Sequence, residues 1–143
     1  YPLSVSNLTN NKNNLIDRIY KIASLREKIK VSNLDALELL KTNNSDEYFV
    51  YLDPPYYVKG GSLYLNHYHR DDHELLSCFL KNEAIFPWVV SYDNHSVISD
   101  IYSGQRQFGF LLNYQANQHK KGRELLIFSD SIALENVAPV LQI

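Results

Sequence analysis

Apolar positions along the chain alternate between helical stripes and short β-like runs, a pattern that predicts an α/β fold. Leu15, Ile16, Ile19, Ile22 and Ala23 recur at helical spacing. They predict a helix beginning at Leu15, capped by Asn14 and complemented by Asp17 in its first turn, that covers one face of a sheet. The polar, asparagine-rich residues 1–14 before it read as a connection. Ile29–Asp35 reads as a short strand, Ala36–Lys41 as one or two helical turns, and Tyr48–Leu52 as a buried, aromatic and β-branched strand. This strand–helix–strand spacing predicts a parallel crossover unit.

A long loop, Val58–Arg70, follows, and its length predicts a functional or mobile segment. Asp71 then opens a helix with a capping-box pattern to Glu74 and a buried stripe of Leu75, Leu76, Phe79 and Leu80. Ile85–Tyr92 reads as a second buried strand, with Pro87 near its start, where proline is tolerated. A short helix comes next, with Val97, Ile98, Ile101 and Tyr102 inward. Gln107–Tyr114 and Arg123–Phe128, joined by a polar and basic turn, predict an antiparallel hairpin at the end of the sheet. Residues 129–143 form an apolar tail that adds a strand or packs on an edge.

The stretch Tyr48–Tyr57, YFVYLDPPYY, organises the rest. Pro54 and Pro55 have no backbone N–H to donate, so strand pairing stops there and the turn is stiff. Asp53 and Tyr56 therefore project from the strand's carboxyl end, the edge at which open α/β sheets bind ligands.

Composition narrows the picture further. At 143 residues and 45% hydrophobic, the chain has enough apolar surface for one domain with a core. No apolar run approaches the roughly 18 residues of a membrane span, and no leader pattern is visible. The single cysteine, Cys78, forms no internal disulfide and suits a reducing, cytoplasmic setting. A net charge of −2 argues against duplex DNA being gripped over the whole surface, so any contact is local. With no methionine at all, the chain reads as a fragment of a longer or split protein.

Asp53-Pro54-Pro55-Tyr56 matches the motif of amino-methyltransferases that act on nucleic-acid bases, and the wider context resembles the Dam-like (D12 class) DNA adenine-N6 methyltransferases. The resemblance runs from the first helix to Phe128. It implies a partial Rossmann-like methyltransferase sheet, comprising the later, mostly parallel strands and a C-terminal antiparallel hairpin in which the final strand inserts. It also implies S-adenosylmethionine as cofactor, double-stranded DNA as substrate and a restriction–modification role. The family's Phe-x-Gly-x-Gly cofactor loop and its target-recognition region are absent from the sequence. The chain is therefore expected to be the C-terminal part of a catalytic domain, inactive alone and needing an amino-terminal half in trans.

Adenine N6 is a poor nucleophile because its lone pair is delocalised into the ring. The side chain of Asp53 and the carbonyl of Pro54 are suited to accept its two amino hydrogens, localising the lone pair by positioning and electrostatics. Tyr56 is placed to stack on a base flipped out of the helix, with Pro55 and Tyr57 beside it. Asp at the first motif position, where cytosine-N4 enzymes usually carry Ser, favours adenine. Asp35 matches the family's acidic residue that contacts the cofactor's adenine, although an acid there equally reads as a helix cap; Asp53 also faces the cofactor. Asp72-His73-x-x-Leu76 resembles the family's helix start and reads as capping and packing. Ser91-Tyr92-Asp93-Asn94 corresponds to its Ser-Asn or Ser-Tyr-Asn segment beside the cleft, which gives Asn94 as a substrate contact, although the segment equally reads as a plain turn after a strand. Lys120, Lys121 and Arg123, on the hairpin turn with Arg106 nearby, are candidate phosphate contacts, although such a charge run more often is only a solvated turn. His67, His69 and His73 do not make a metal site: their spacing straddles a loop and a helix cap, and the chemistry needs no metal. Two alternatives stay open: methylation of another planar amine, in RNA or a protein glutamine, and a non-catalytic α/β binding module whose Asp-Pro-Pro-Tyr is only a turn.

Overall fold

The computed structural model describes residues 5–58, 68–113 and 121–133. The chain divides into two compact units, residues 1–34 and 35–143. In the first, a helix, α1, runs over Val5–Ser24 and a 3-10 turn over Arg26–Lys28. The helix thus starts ten residues before Leu15, and Asn14 lies inside it rather than at its cap. Asparagine costs only a few tenths of a kcal/mol per helical position, too little to stop a helix that an apolar stripe propagates. That stripe, Leu15, Ile16, Ile19 and Ile22, is exposed rather than covered. The expected strand Ile29–Asp35 is also absent. The segment is irregular and Val31 is 87% exposed, because a β-like run becomes a strand only when it finds a partner.

The second unit holds α2 (Ala36–Thr42), β1 (Val50–Leu52), α3 (Arg70–Asn82), β2 (Trp88–Asp93), α4 (Ser96–Ile101), β3 (Arg106–Asn113) and β4 (Lys121–Phe128). The four strands form one sheet in the order β1-β2-β4-β3. β1 pairs with β2 in parallel, Leu52 opposite Val90. β4 is antiparallel to both β2 and β3, so β1, β2 and β3 point one way and β4 alone returns. The final described strand inserts as the resemblance implied, but "mostly parallel" needs correction: β4, inserted between β2 and β3, makes two of the three neighbouring pairs antiparallel.

Alternation along the strands separates two faces. Trp88, Val90 and Tyr92 of β2 and Leu125 and Ile127 of β4 join Leu76, Phe79 and Leu80 of α3, Ile98 of α4, and Tyr102 in the main core. Val89, Phe128 and Phe108 belong to the opposite face, where they form a smaller cluster. The cap of α3 is His69 rather than Asp71: the helix begins at Arg70, and Asp72 Oδ2 accepts from the His69 N–H at 2.8 Å. Leu75 is exposed, and the buried stripe runs instead through His73, Leu76, Ser77, Phe79 and Leu80. Gly104, at φ 89°, makes the left-handed turn that leads from α4 into β3.

Candidate active site

The carboxyl ends of β1, β2 and β3 share one edge with the start of β4. Asp93, the last residue of β2, lies opposite Glu124, and β4 extends from there back to Lys121. The β3–β4 hairpin therefore overhangs the end of β2 by three residues, about 10 Å at the usual strand rise. The Asp-Pro-Pro-Tyr turn leaves β1 at this same edge.

Asp53 is exposed, and Ser91 Oγ, on the neighbouring strand, donates to its Oδ1 at 2.8 Å. Tyr51 OH donates in turn to Ser91 Oγ at 2.9 Å. The Leu52 carbonyl lies 3.4 Å from the same hydroxyl, but a hydroxyl has one proton and the charged, nearer carboxylate takes it. This Tyr51–Ser91–Asp53 relay polarises in one direction and fixes the carboxylate plane. Oδ2 has no hydrogen-bond partner among the described residues. Pro54, Pro55 and Tyr56 are half-buried beside it.

Tyr56 OH donates to Glu124 Oε1 at 2.9 Å. Asp93 accepts the next two backbone N–H groups, Tyr57 on Oδ1 at 2.9 Å and Val58 on Oδ2 at 3.1 Å. The Tyr57 ring packs 4.9 Å from the His95 ring and 5.6 Å from His73, centroid to centroid. Its surroundings are those of a packed side chain under the turn.

Asn94 is exposed, and its N–H donates to the Arg123 carbonyl at 3.0 Å. Together with Gly109, Phe110, Leu111 and Arg123 it lines a recess of about 250 Å³ under the overhang. A methyl group added at Gly109 would stand 3.4 Å from Asn94 Nδ2, in ordinary contact with it. Arg123 is exposed at this edge and Lys121 begins β4 there; Lys120 lies outside the described residues. Arg106 is not near them. It pairs opposite Phe128 at the far end of the hairpin, where its guanidinium donates to the Ser129 and Ile132 carbonyls. Arg106 is the first residue of the eight-residue β3, so the whole length of that strand separates it from the turn end, where Asn113 pairs with Lys121. Asp35 is the N-cap of α2: its Oδ1 accepts from the Glu38 N–H at 3.2 Å. Its charge, together with burial and Asp72, raises the Tyr68 phenol pKa, with burial the larger cause. His67 lies outside the described residues.

Sequence reasoning placed Ser91 and Asp93 only within a segment beside the cleft, with no role of their own, and left Glu124 out of the site. Glu124 carried a signal. Leu125 and Ile127 point to the core, so Glu124 shares its face with Leu126 and Phe128, an unusual place for an acid unless something there needs it.

His73, fully buried, sits among Tyr57, Tyr68 and Tyr92. Its Nδ1 meets Tyr92 OH at 2.9 Å, and its Nε2 has no partner among the described residues. Desolvation lowers its pKa from the ordinary 6.5, with Asp72 and Asp93 opposing in part. A histidine held neutral in the fold takes up its proton on unfolding. Its contribution to stability is complete above pH 6.5 and declines as pH falls from there through the lower folded value. Urea midpoints should therefore drop as pH falls below about 6.5, and His73→Phe should flatten that slope by about one proton's worth while lowering the plateau. An unchanged slope in the variant would assign the effect to other groups.

An open α/β sheet that presents Asp-Pro-Pro-Tyr at its carboxyl edge, the acid braced from the next strand, fits the class of transferases that modify amino groups of nucleic-acid bases. The family comparison makes this specific: the model for D12 class N6 adenine-specific DNA methyltransferases matches residues 6–119, and the chain belongs to that family. A search of curated proteins found no match.

Proposed function

We propose that this chain carries the target-base side of an S-adenosylmethionine-dependent DNA adenine-N6 methyltransferase. The observation that carries this reading is the Asp53 carboxylate, aimed by Ser91 through Oδ1 and open at Oδ2, beside a Pro54 carbonyl whose direction two prolines hold. Oδ2 and the Pro54 carbonyl accept the two hydrogens of a flipped adenine's amino group. The lone pair then points out of the ring plane, ready for attack. Ordered acceptors that need no reorganisation at the moment of reaction account for the catalysis. Tyr56 offers its ring to the extrahelical base, and base–aromatic stacking of about 1–3 kcal/mol offsets part of the cost of flipping. Arg123 and Lys121, on the overhanging hairpin, contact phosphates without reading sequence.

S-adenosylmethionine, when bound, supplies the methyl group on a sulfonium sulfur. Asp53 suits its side of the edge, being exposed with an open oxygen. Asp35 suits it less, since its Oδ1 already caps α2. The sequence contains no Phe-x-Gly-x-Gly segment, so this reading assigns the cofactor's glycine-rich loop to a separate segment and takes the chain as inactive without it.

Titration calorimetry with S-adenosylmethionine tests the assignment, on the chain alone and on the chain mixed with a polypeptide bearing that loop. Binding and DNA methylation only in the mixture are expected. Binding by the chain alone would overturn the loop assignment, and no binding in either, with folded samples, would overturn the reading. Within the active mixture, Ser91→Ala should slow methyl transfer by about tenfold, the worth of one charge-assisted hydrogen bond, and change stability by less than about 1 kcal/mol. An unaffected rate would mean that the relay does not aim Asp53.

A further inference from the structure

We infer that Glu124 is the positioning residue for Tyr56, holding its ring as a fixed platform for the extrahelical base; the inference rests on the function proposed above. Glu124 is 4% exposed. A carboxylate at that depth persists only where donors compensate it, and Tyr56 OH, reaching across 68 residues of sequence, is one of them, at 2.9 Å. The neighbouring residue of the sheet sharpens the point. Asp93 lies directly opposite Glu124 in the β2–β4 ladder, and two acids so placed repel each other. Both take their donors from consecutive residues of one turn: Glu124 from the phenol of Tyr56, Asp93 from the backbone of Tyr57 and Val58. Two strands thus grip the turn from below, one by side chain and one by backbone. A phenol anchored at its far end cannot swing about its side-chain torsions, so the ring meets a base without being ordered first.

A double-mutant cycle on the full chain tests this, with a single-stranded oligodeoxynucleotide carrying one 2-aminopurine as the probe and its fluorescence quenching as the readout. Wild type should bind and quench, and Tyr56→Ala should abolish the quenching. Tyr56→Phe, which keeps the ring and removes the anchor, and Glu124→Leu should each weaken binding about tenfold, as loss of one hydrogen bond to a charged group does. The Tyr56→Phe/Glu124→Leu double variant should be no weaker than either. Glu124→Gln, which still offers an acceptor oxygen, should stay within about threefold of wild type. A merely structural Glu124 would give single losses that multiply and no rescue by glutamine, and that result overturns the inference. So does wild-type binding by Tyr56→Phe, which decides the matter even if Glu124→Leu fails to fold. Failure of the functional reading looks different: wild type does not quench, or Tyr56→Ala quenches as wild type does, and the inference falls with it.

Discussion

Asp53→Ala is expected to lower methyl transfer by about two to three orders of magnitude, the usual cost of removing one preorganised electrostatic group, while leaving the fold as it is. Asp53 is exposed and bonds only to Ser91 among the described residues, so the stability change should stay within about 0.5 kcal/mol. Asp53→Asn is the sharper variant. With its oxygen kept on the Ser91 hydroxyl, the asparagine presents an NH₂ group where Oδ2 stood, a donor facing a donor. The base is then repelled at the point where it should be held, so most of the loss should persist although shape is conserved. Single-turnover methylation of DNA, with DNA affinity measured separately, checks both. Rates within threefold of wild type for Asp53→Ala would remove Asp53 from the chemistry and favour the structural-turn alternative.

What the sequence made legible was what local chemistry decides. Two prolines after an apolar run end β1 and expose Asp53 whatever lies around them, and a polar turn between two apolar runs makes the β3–β4 hairpin. Partners decided the rest. Ile29–Asp35 has the composition of a strand but no ladder to join, and His69 caps α3 because Asp72 returns the second bond of the box. The same holds at the site. Asp53, Pro54 and Tyr56 announce themselves by motif, but Ser91, Asp93 and Glu124 gain meaning only through register. That register sets Ser91 one step beyond the Leu52–Val90 pair, level with Asp53, and sets Asp93 opposite Glu124. Arg106 shows the converse: it was expected beside the basic residues of the hairpin turn, and the ladder sets it opposite Phe128 at the far edge.

The largest effect on stability should come from Trp88, at the start of β2. It is 2% exposed and joins three parts of the unit at once. Its backbone N–H donates to Ser129 Oγ at 3.0 Å, tying β2 to the segment after β4. Its ring lies 6.2 Å from that of Tyr102, just after α4. Its indole Nε1–H donates to the Leu80 carbonyl at 2.9 Å. Leu80 falls in the last turn of α3, whose carbonyls have no partner within the helix, so Trp88 is both core and helix cap. Trp88→Ala removes the ring and should cost about 3–5 kcal/mol, a large share of the roughly 5–15 kcal/mol that a domain has. Trp88→Phe separates the two roles. It retains most of the ring's contacts and leaves the Leu80 carbonyl buried without a donor, for about 1–3 kcal/mol. Urea unfolding with unchanged m-values would report both. If the phenylalanine variant matched wild type, the indole hydrogen bond would contribute nothing net; if it matched alanine, the cap rather than the packing would hold the helix to the sheet.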